Sequence, residues 1–171
     1  MQNSLKPHRI LLLLSIVFTC LFAGCKKDKI DTKDFKIPRI MVESRNVDYG
    51  GTGGNTIVLP VSGARISVNN APLINEFQIA NVELVRVELG MALLIQLDGA
   101  GSRELYRSSV TNMGSRLVFT INGTAIGARR IDGAIQDGNL YTFVELPPEE
   151  LPELVADIKK TIVELRKRSS W

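Results

Sequence analysis

The stretch TINGTAIGARRI, from Thr120 to Ile131, decides how the central part of this chain folds. It places Asn122 and Gly123 between apolar residues, and two adjacent arginines follow a second glycine. An Asn-Gly pair between apolar runs is the strongest short-range signal of a β-hairpin, because both turn residues need positive φ. An anion-binding loop would need its glycines to lead directly into a helix, whereas another strand-like segment follows here. We therefore predict a hairpin turn at Asn122 and Gly123, with a structural role for the glycines.

Strand-like segments lie on both sides of this turn. Between Val82 and Leu97 apolar residues alternate with polar ones around Gly90, which predicts two antiparallel strands with one buried face. In this interpretation Val85, Val87 and Leu89 face the core, while the intervening charged residues lie on a solvated face. The other segments with strand character are Arg39 to Ser44, Thr56 to Pro60, Ala64 to Val68, Arg116 to Ile121 and Asn139 to Leu146.

Two segments have helical periodicity. The first begins at Asp98, a capping residue, and its apolar stripe would consist of Tyr106, Val110 and Met113. The second follows Pro148, with glutamates at its start and arginines and lysine at its end, an order that complements the helix dipole. Its basic end can alternatively contact anionic lipid, although helix capping explains that end without a partner.

The first 24 residues have the composition of a secretory signal. Lys6 and Arg9 form a positive start, and the apolar run from Ile10 to Phe18 is too short to span a membrane. The end of this leader, LFAGC, resembles the lipobox of bacterial lipoproteins, in which the cysteine becomes the acylated first residue of the mature protein. The resemblance implies cleavage after Gly24 and a lipid anchor on Cys25. The alternative is an ordinary secretory leader with a coincidental cysteine.

Composition divides the rest of the chain into three segments. Residues 25–38 carry charges of both signs and few apolar side chains, which predicts a flexible tether. Residues 39–65 combine strands with a glycine-rich stretch, Tyr49 to Asn55, which is either a mobile surface loop or an anion-binding nest. No Gly-Lys-Ser or Gly-Lys-Thr sequence follows it, so it is not a P-loop. Residues 66–171 hold the hairpin and both helices.

The residue types that remain after the leader limit the chemistry of the domain. His8 is the only histidine, and the two cysteines are Cys20 and Cys25, so the mature domain would have neither a histidine nor a free thiol. This composition excludes Ser-His-Asp and Cys-His catalysis and the usual zinc ligands, and we expect no metal or cofactor. The formal net charge is +3, of which Lys6 and Arg9 supply two charges, so nucleic acid is not an expected partner.

The segment from Asn112 to Gly138 resembles the head subdomain of the first periplasmic loop of SecD, a membrane protein of protein export. The likeness rests on Asn-x-Gly after a helix, the Asn-Gly turn, and a pair of small residues, Gly127 and Ala128. It extends from about Ile66 to Leu165, and it departs from the family at Arg129, where proline is usual. The resemblance implies an α+β fold, an antiparallel sheet with two helices packed on one face, broadly ferredoxin-like.

Three functional hypotheses follow. The resemblance implies contact with exported chains. The first hypothesis is therefore a lipid-anchored protein of the cell envelope, outside the cytoplasm. In this hypothesis it binds a protein or peptide partner in export or envelope assembly, without catalysis. The alternative is a structural or scaffolding envelope lipoprotein. An enzyme is the third hypothesis and ranks last, because the mature chain would lack histidine and any nucleophile motif. A cluster of Asp98, Glu104 and Asp132 around one pocket would favour it again. An exposed apolar groove would favour the binding hypothesis.

Overall fold

The computed structural model describes residues 35–44 and 54–169, within a unit that extends from Asp34 to Trp171. This part of the chain forms eight strands and two helices. The strands are β1 (Pro38–Val42), β2 (Gly54–Val58), β3 (Arg65–Asn69), β4 (Ile79–Val87), β5 (Gly90–Leu97), β6 (Arg116–Ile121), β7 (Thr124–Arg130) and β8 (Asn139–Thr142). The helices are α1 (Gly99–Thr111) and α2 (Leu151–Ser169). The predicted α+β class is confirmed.

The strands pair antiparallel throughout the described residues and form three small sheets rather than one. The first sheet has the order β1-β6-β7, and the second has the order β4-β5-β8. The remaining two strands, β2 and β3, pair with each other. Because β1 pairs along β6, with Ile40 opposite Phe119, the N-terminal strand is part of the same hydrogen-bonded structure as the central hairpin.

The β6-β7 hairpin turns at Asn122 and Gly123, whose φ angles are 51° and 84°. The glycine adopts the left-handed region without steric cost, and asparagine tolerates it better than most residues. The Asn122 side chain also holds the chain that leads into β1. Its Oδ1 accepts from the backbone N–H of Ile37 at 2.9 Å, and its Nδ2 donates to the carbonyl oxygen of Phe35 at 2.8 Å. This turn residue therefore joins two parts of the sequence that lie far apart.

The β4-β5 hairpin buries a different face of β4 from the one that we predicted. A two-residue turn pairs Val85 with Ala92, and Leu84 with Leu93. Since paired residues point to the same side, Leu84 joins Leu93 in the core, and Val85 faces the opposite side of the sheet. The prediction that Val85, Val87 and Leu89 face the core is wrong, because it did not follow the register through the turn.

Helix α1 begins as predicted, but its buried face is not the predicted one. Asp98 caps the helix by accepting from the backbone N–H of Gly101 at 2.7 Å. The predicted apolar stripe is wrong, because its three members are exposed: Tyr106, Val110 and Met113. The buried residues are Gly101, Leu105, Ser108 and Ser109. A side chain on Gly101 would meet Gln78 at 3.1 Å, so the first turn of the helix lies too close to its neighbours for a larger residue at this position.

Helix α2 packs against β4, and both helices contribute to one hydrophobic core between the two three-stranded sheets. Leu105 comes from α1, Ile158 from α2, Phe119 from the first sheet and Ile95 from the second, and all are at most 1% exposed. The α2 residues that are buried against this core are Leu151, Val155, Ile158, Thr161 and Ile162. A smaller cluster joins the β2-β3 pair to the first sheet through Ile66, Val68, Leu59, Val118 and Ala125.

Candidate functional site

The two three-stranded sheets meet where β7 pairs with the segment after β8. Gly127 in β7 forms an isolated β-bridge with Val144, and the backbone N–H of Glu145 donates to the carbonyl oxygen of Ile126 at 2.7 Å. A side chain at Gly127 would overlap the carbonyl oxygen of Phe143 and would lie 3.1 Å from Val144 Cα. The two backbones can therefore approach this closely only at a glycine.

A groove of about 580 Å³ lies beside this junction, bordered by β7, β8 and the β4-β5 turn. Its lining is mostly apolar and consists of Val87, Glu88, Leu89, Ala128, Arg129, Tyr141 and Phe143. Leu89 is 84% exposed, and Tyr141 and Phe143 are 42% and 43% exposed. Large apolar side chains are usually buried, so this exposed group makes the groove the candidate site of the described domain.

Charged groups lie along the rim of this groove. Arg129 Nη1 donates to the carbonyl oxygen of Tyr141 at 3.0 Å, so the guanidinium bridges β7 and β8. Asp137 does not line the groove, but its carboxyl feels the charge of Arg129. The backbone N–H and side chain of Asn139 donate to this carboxyl and are the main reason that its pKa lies below the ordinary value, and the charge of Arg129 adds to this effect. Glu88 lines the groove from the β4-β5 turn. The groove thus combines a mostly apolar lining with one charged side chain of each sign, Glu88 and Arg129.

A second cleft, of about 520 Å³, lies between the β6-β7 turn and α2. Carboxylates of α2 and the residue before it line this cleft, namely Glu150, Glu153 and Asp157. Among the described residues that line it, Lys36 is the one cation. Asn122 forms part of its wall. Because carboxylates repel anions, this arrangement disfavours the anion-binding interpretation of the Asn-Gly stretch and agrees with a structural turn.

The three carboxylates that were candidates for catalysis do not come together. Asp98 caps α1, Glu104 pairs with Arg107 at 3.4 Å, and Asp132 pairs with Arg130 at 3.8 Å on the surface. None of the three lines the groove or the second cleft. Across residues 35–44 and 54–169, no group of histidine, cysteine, aspartate and glutamate side chains has the arrangement of a metal site.

Several predicted features lie outside the described residues. These are the cleavage site at Gly24, the lipidation site at Cys25, and the glycine-rich stretch up to residue 53. Within the described part of the chain, no helix is both long enough and apolar enough to cross a membrane.

Our sequence interpretation did not identify the groove residues Leu89, Tyr141 and Phe143. The sequence nevertheless indicated an apolar surface in the segment from Asn139 to Leu146, because apolar residues occupy positions that face both sides of this strand. Leu140 is buried, while Tyr141 and Phe143 lie on the other side. A strand with bulky residues on both faces needs a covering layer on each side, and the described structure leaves one of these faces partly uncovered.

No family model matches this chain, and no curated protein matches it in sequence. Among solved structures it is similar to a crystal structure of SecDF in a super-membrane-facing form, with 16% identity and a TM-score of 0.54, covering 72% of this chain and 18% of that chain. It is also similar to a structure of SecDF described as a membrane component that enhances protein export, with 14% identity and a TM-score of 0.55, covering 92% of this chain and 70% of that chain. Identities this low establish a shared fold alone. The described domain thus has a SecD-like fold, which confirms the resemblance seen in the sequence.

Proposed function

We propose that this protein is held in the cell envelope by a lipid anchor at Cys25 and uses its apolar groove to bind an unfolded segment of another polypeptide, without catalysis. The observation that supports the proposal best is the water-exposed group formed by Leu89, Tyr141 and Phe143 at the junction of the two sheets. Burying one such side chain contributes about 1.5–3 kcal/mol, so a short apolar segment has enough contact area to bind.

The form of the groove favours an extended polypeptide over a small molecule. The groove is bordered by strands on two sides, and its charges lie at the rim rather than converging on one point. A small-molecule site would have a few polar groups aimed at the same position. An extended segment instead presents side chains on alternating sides, and its apolar half fits the floor formed by Val87, Ala128 and Phe143.

The SecD-like fold supports a role in export. The similar SecDF structure belongs to a membrane component that enhances protein export. A lipid-anchored domain with this fold, placed outside the cytoplasm, would meet polypeptides as they leave the membrane and before they fold. In that role a shallow groove with weak sequence preference is advantageous, because exported chains differ in sequence.

A titration with a defined peptide tests the groove. The probe is a fluorescent synthetic peptide of alternating leucine and serine, compared with a peptide of serine alone, and the readout is anisotropy with the full-length protein. We expect binding of the leucine peptide, and about tenfold weaker binding for Leu89→Ser and Phe143→Ser, since each change removes roughly 1.4 kcal/mol of apolar contact.

The matched control for this titration is Val163→Ser. Val163 is an exposed apolar residue of α2 and does not line the groove, so its replacement should leave the affinity unchanged. If all three variants bind the peptide as the natural protein does, the groove is not the binding site. The structural or scaffolding alternative would then be favoured, and its readout is the mass of the assembly in solution.

A further inference from the structure

The chain enters the described domain beside the C-terminal half of α2. The backbone N–H of Lys36 donates to Thr161 Oγ1 at 3.0 Å, and the guanidinium carbon of Arg168 lies 5.2 Å from the centre of the Phe35 ring. Phe35 is 7% exposed, and its carbonyl oxygen accepts from Asn122 Nδ2 at 2.8 Å. These contacts fix the entry point of the chain against one end of the helix.

This end of α2 is strongly basic. From Ile158 to Ser169 the helix carries five cations and one carboxylate. The cations are Lys159, Lys160, Arg166, Lys167 and Arg168, and the carboxylate is Glu164, which pairs with Lys167 at 3.0 Å. Arg166 Nη2 also donates to the carbonyl oxygen of Ile79 at 3.2 Å. We call this end of α2, with its five cations, the basic end.

Helix capping accounts for only part of this charge. Arg166, Lys167 and Arg168 lie in the last turn, where cations stabilise the carbonyl end of a helix. The dipole effect falls off within that turn, so it does not explain Lys159 and Lys160, which lie about two turns earlier and are exposed. The two lysines and Val163 lie on the solvent side of the helix, away from the buried residues Ile158 and Ile162.

We propose that the basic end docks on the anionic lipid headgroups of the membrane that holds the Cys25 anchor. The geometry rests on the proposed anchor, because only nine residues lie between Cys25 and Phe35. Fully extended, this segment spans at most about 35 Å, so an anchored chain keeps its entry point near the membrane. The helix end next to that entry point carries the charge that attracts anionic headgroups, each cation near such a surface contributing about fivefold to binding. The domain is then held with a fixed side towards the membrane instead of moving freely on its tether.

The only tryptophan of the chain, Trp171, gives a direct readout, because it follows α2 by two residues. The full chain is purified from cells that acylate it and reconstituted into vesicles of phosphatidylcholine alone, or of equal parts phosphatidylcholine and phosphatidylglycerol. Brominated phospholipid in the same vesicles quenches tryptophan that lies at the membrane. We expect strong quenching in the anionic vesicles, weak quenching in the neutral ones, and loss of the difference in high salt.

Two double variants that remove the same charge distinguish a contribution of the basic end from the general electrostatic attraction between the protein and anionic lipid. Lys159→Gln with Lys160→Gln should lower the ratio of docked to undocked protein about 25-fold in the anionic vesicles. Arg103→Gln with Arg107→Gln removes the same charge from the exposed surface of α1 and should leave that ratio unchanged. Equal quenching in both kinds of vesicle, or an equal effect of the two double variants, would overturn the proposal.

Flotation of the same vesicles tests the anchor independently. Protein that floats with neutral vesicles but shows equal Trp171 quenching in both lipids would support the anchor and refute docking by the basic end. Protein that floats only with anionic vesicles, and is released by salt, would support docking and refute the lipid anchor on which the proposed function depends.

Discussion

Replacing Gly127 with alanine should loosen the junction between the two sheets. The added Cβ would overlap the carbonyl oxygen of Phe143 and lie 3.1 Å from both Cα and Cγ1 of Val144. A backbone oxygen cannot rotate away, so β7 and the segment after β8 must separate. Overpacking of this kind costs about 1–3 kcal/mol. For a domain of this size each kcal/mol lowers the thermal midpoint by roughly 4 °C, so circular dichroism should show a decrease of about 4–12 °C.

Gly133→Ala is the matched control for this change. No atom lies within 4 Å of the position that its Cβ would take, and Gly133 is not among the glycines with positive φ. Alanine there should raise stability by up to about 1 kcal/mol, because it restricts the unfolded chain. Gly127→Ala should also weaken binding of the apolar peptide, since Phe143 lines the groove. Equal thermal midpoints for the two variants would refute the proposed role of Gly127 at the junction.

Three further changes test other parts of the structure. Asn122→Gly keeps the turn but removes two side-chain hydrogen bonds, so urea titration should show a free energy of unfolding that is lower by about 1–2 kcal/mol. Gly123→Val should lower it by a similar amount, because valine would have to adopt a φ of 84°. A side-chain hydrogen bond from Arg116 is the main reason that the pKa of Glu43 lies below its ordinary value, so Glu43 stabilises the fold at neutral pH and this contribution disappears as the pH falls through the lowered pKa. Urea titrations over a range of pH should therefore show that Glu43→Gln reduces the free energy of unfolding by about 0.5–1 kcal/mol near pH 7, and by progressively less as the pH falls through the lowered pKa of Glu43. The triple change Asp98→Asn, Glu104→Gln and Asp132→Asn neutralises the three carboxylates that were candidates for catalysis. It should leave growth and envelope integrity nearly unchanged. A severe defect in a normally folded triple variant would point to an enzyme.

The features that the sequence predicted correctly depend on local chemistry. The hairpin at Asn122 and Gly123 follows from backbone conformations that few residues adopt, and the start of α1 follows from the capping carboxylate of Asp98. Such signals act over a few residues and need no knowledge of the tertiary structure. The second role of Asn122 was not predictable in this way, because its partners Phe35 and Ile37 lie more than 80 residues earlier in the chain.

The errors concern which face of an element is buried. The spacing of Tyr106, Val110 and Met113 fits a helix stripe, yet α1 buries another face. That face holds Leu105 with three small residues, and one of these, Gly101, lies close to Gln78 and Leu97. Helix periodicity identifies an apolar side but does not measure how closely the neighbouring chain approaches. In β4 the turn register decides the buried face, and a one-residue error exchanges the two faces of a strand. The position of the groove could not be predicted, since it lies where two sheets meet through residues that are distant in sequence. The segment from Asn139 to Leu146 indicated only that bulky residues lie on both of its faces.

Site-specific photo-crosslinking in intact cells tests the central claim most directly. A photoreactive amino acid at Leu89 in the groove is compared with the same residue at Val110, an exposed position of α1 that does not line the groove, and newly exported polypeptides are labelled in a short pulse before illumination. We expect that the Leu89 probe captures labelled chains during the pulse, that the capture declines as those chains fold, and that the Val110 probe captures little. Equal capture at the two positions, or no capture at Leu89 in correctly localised protein, would contradict it.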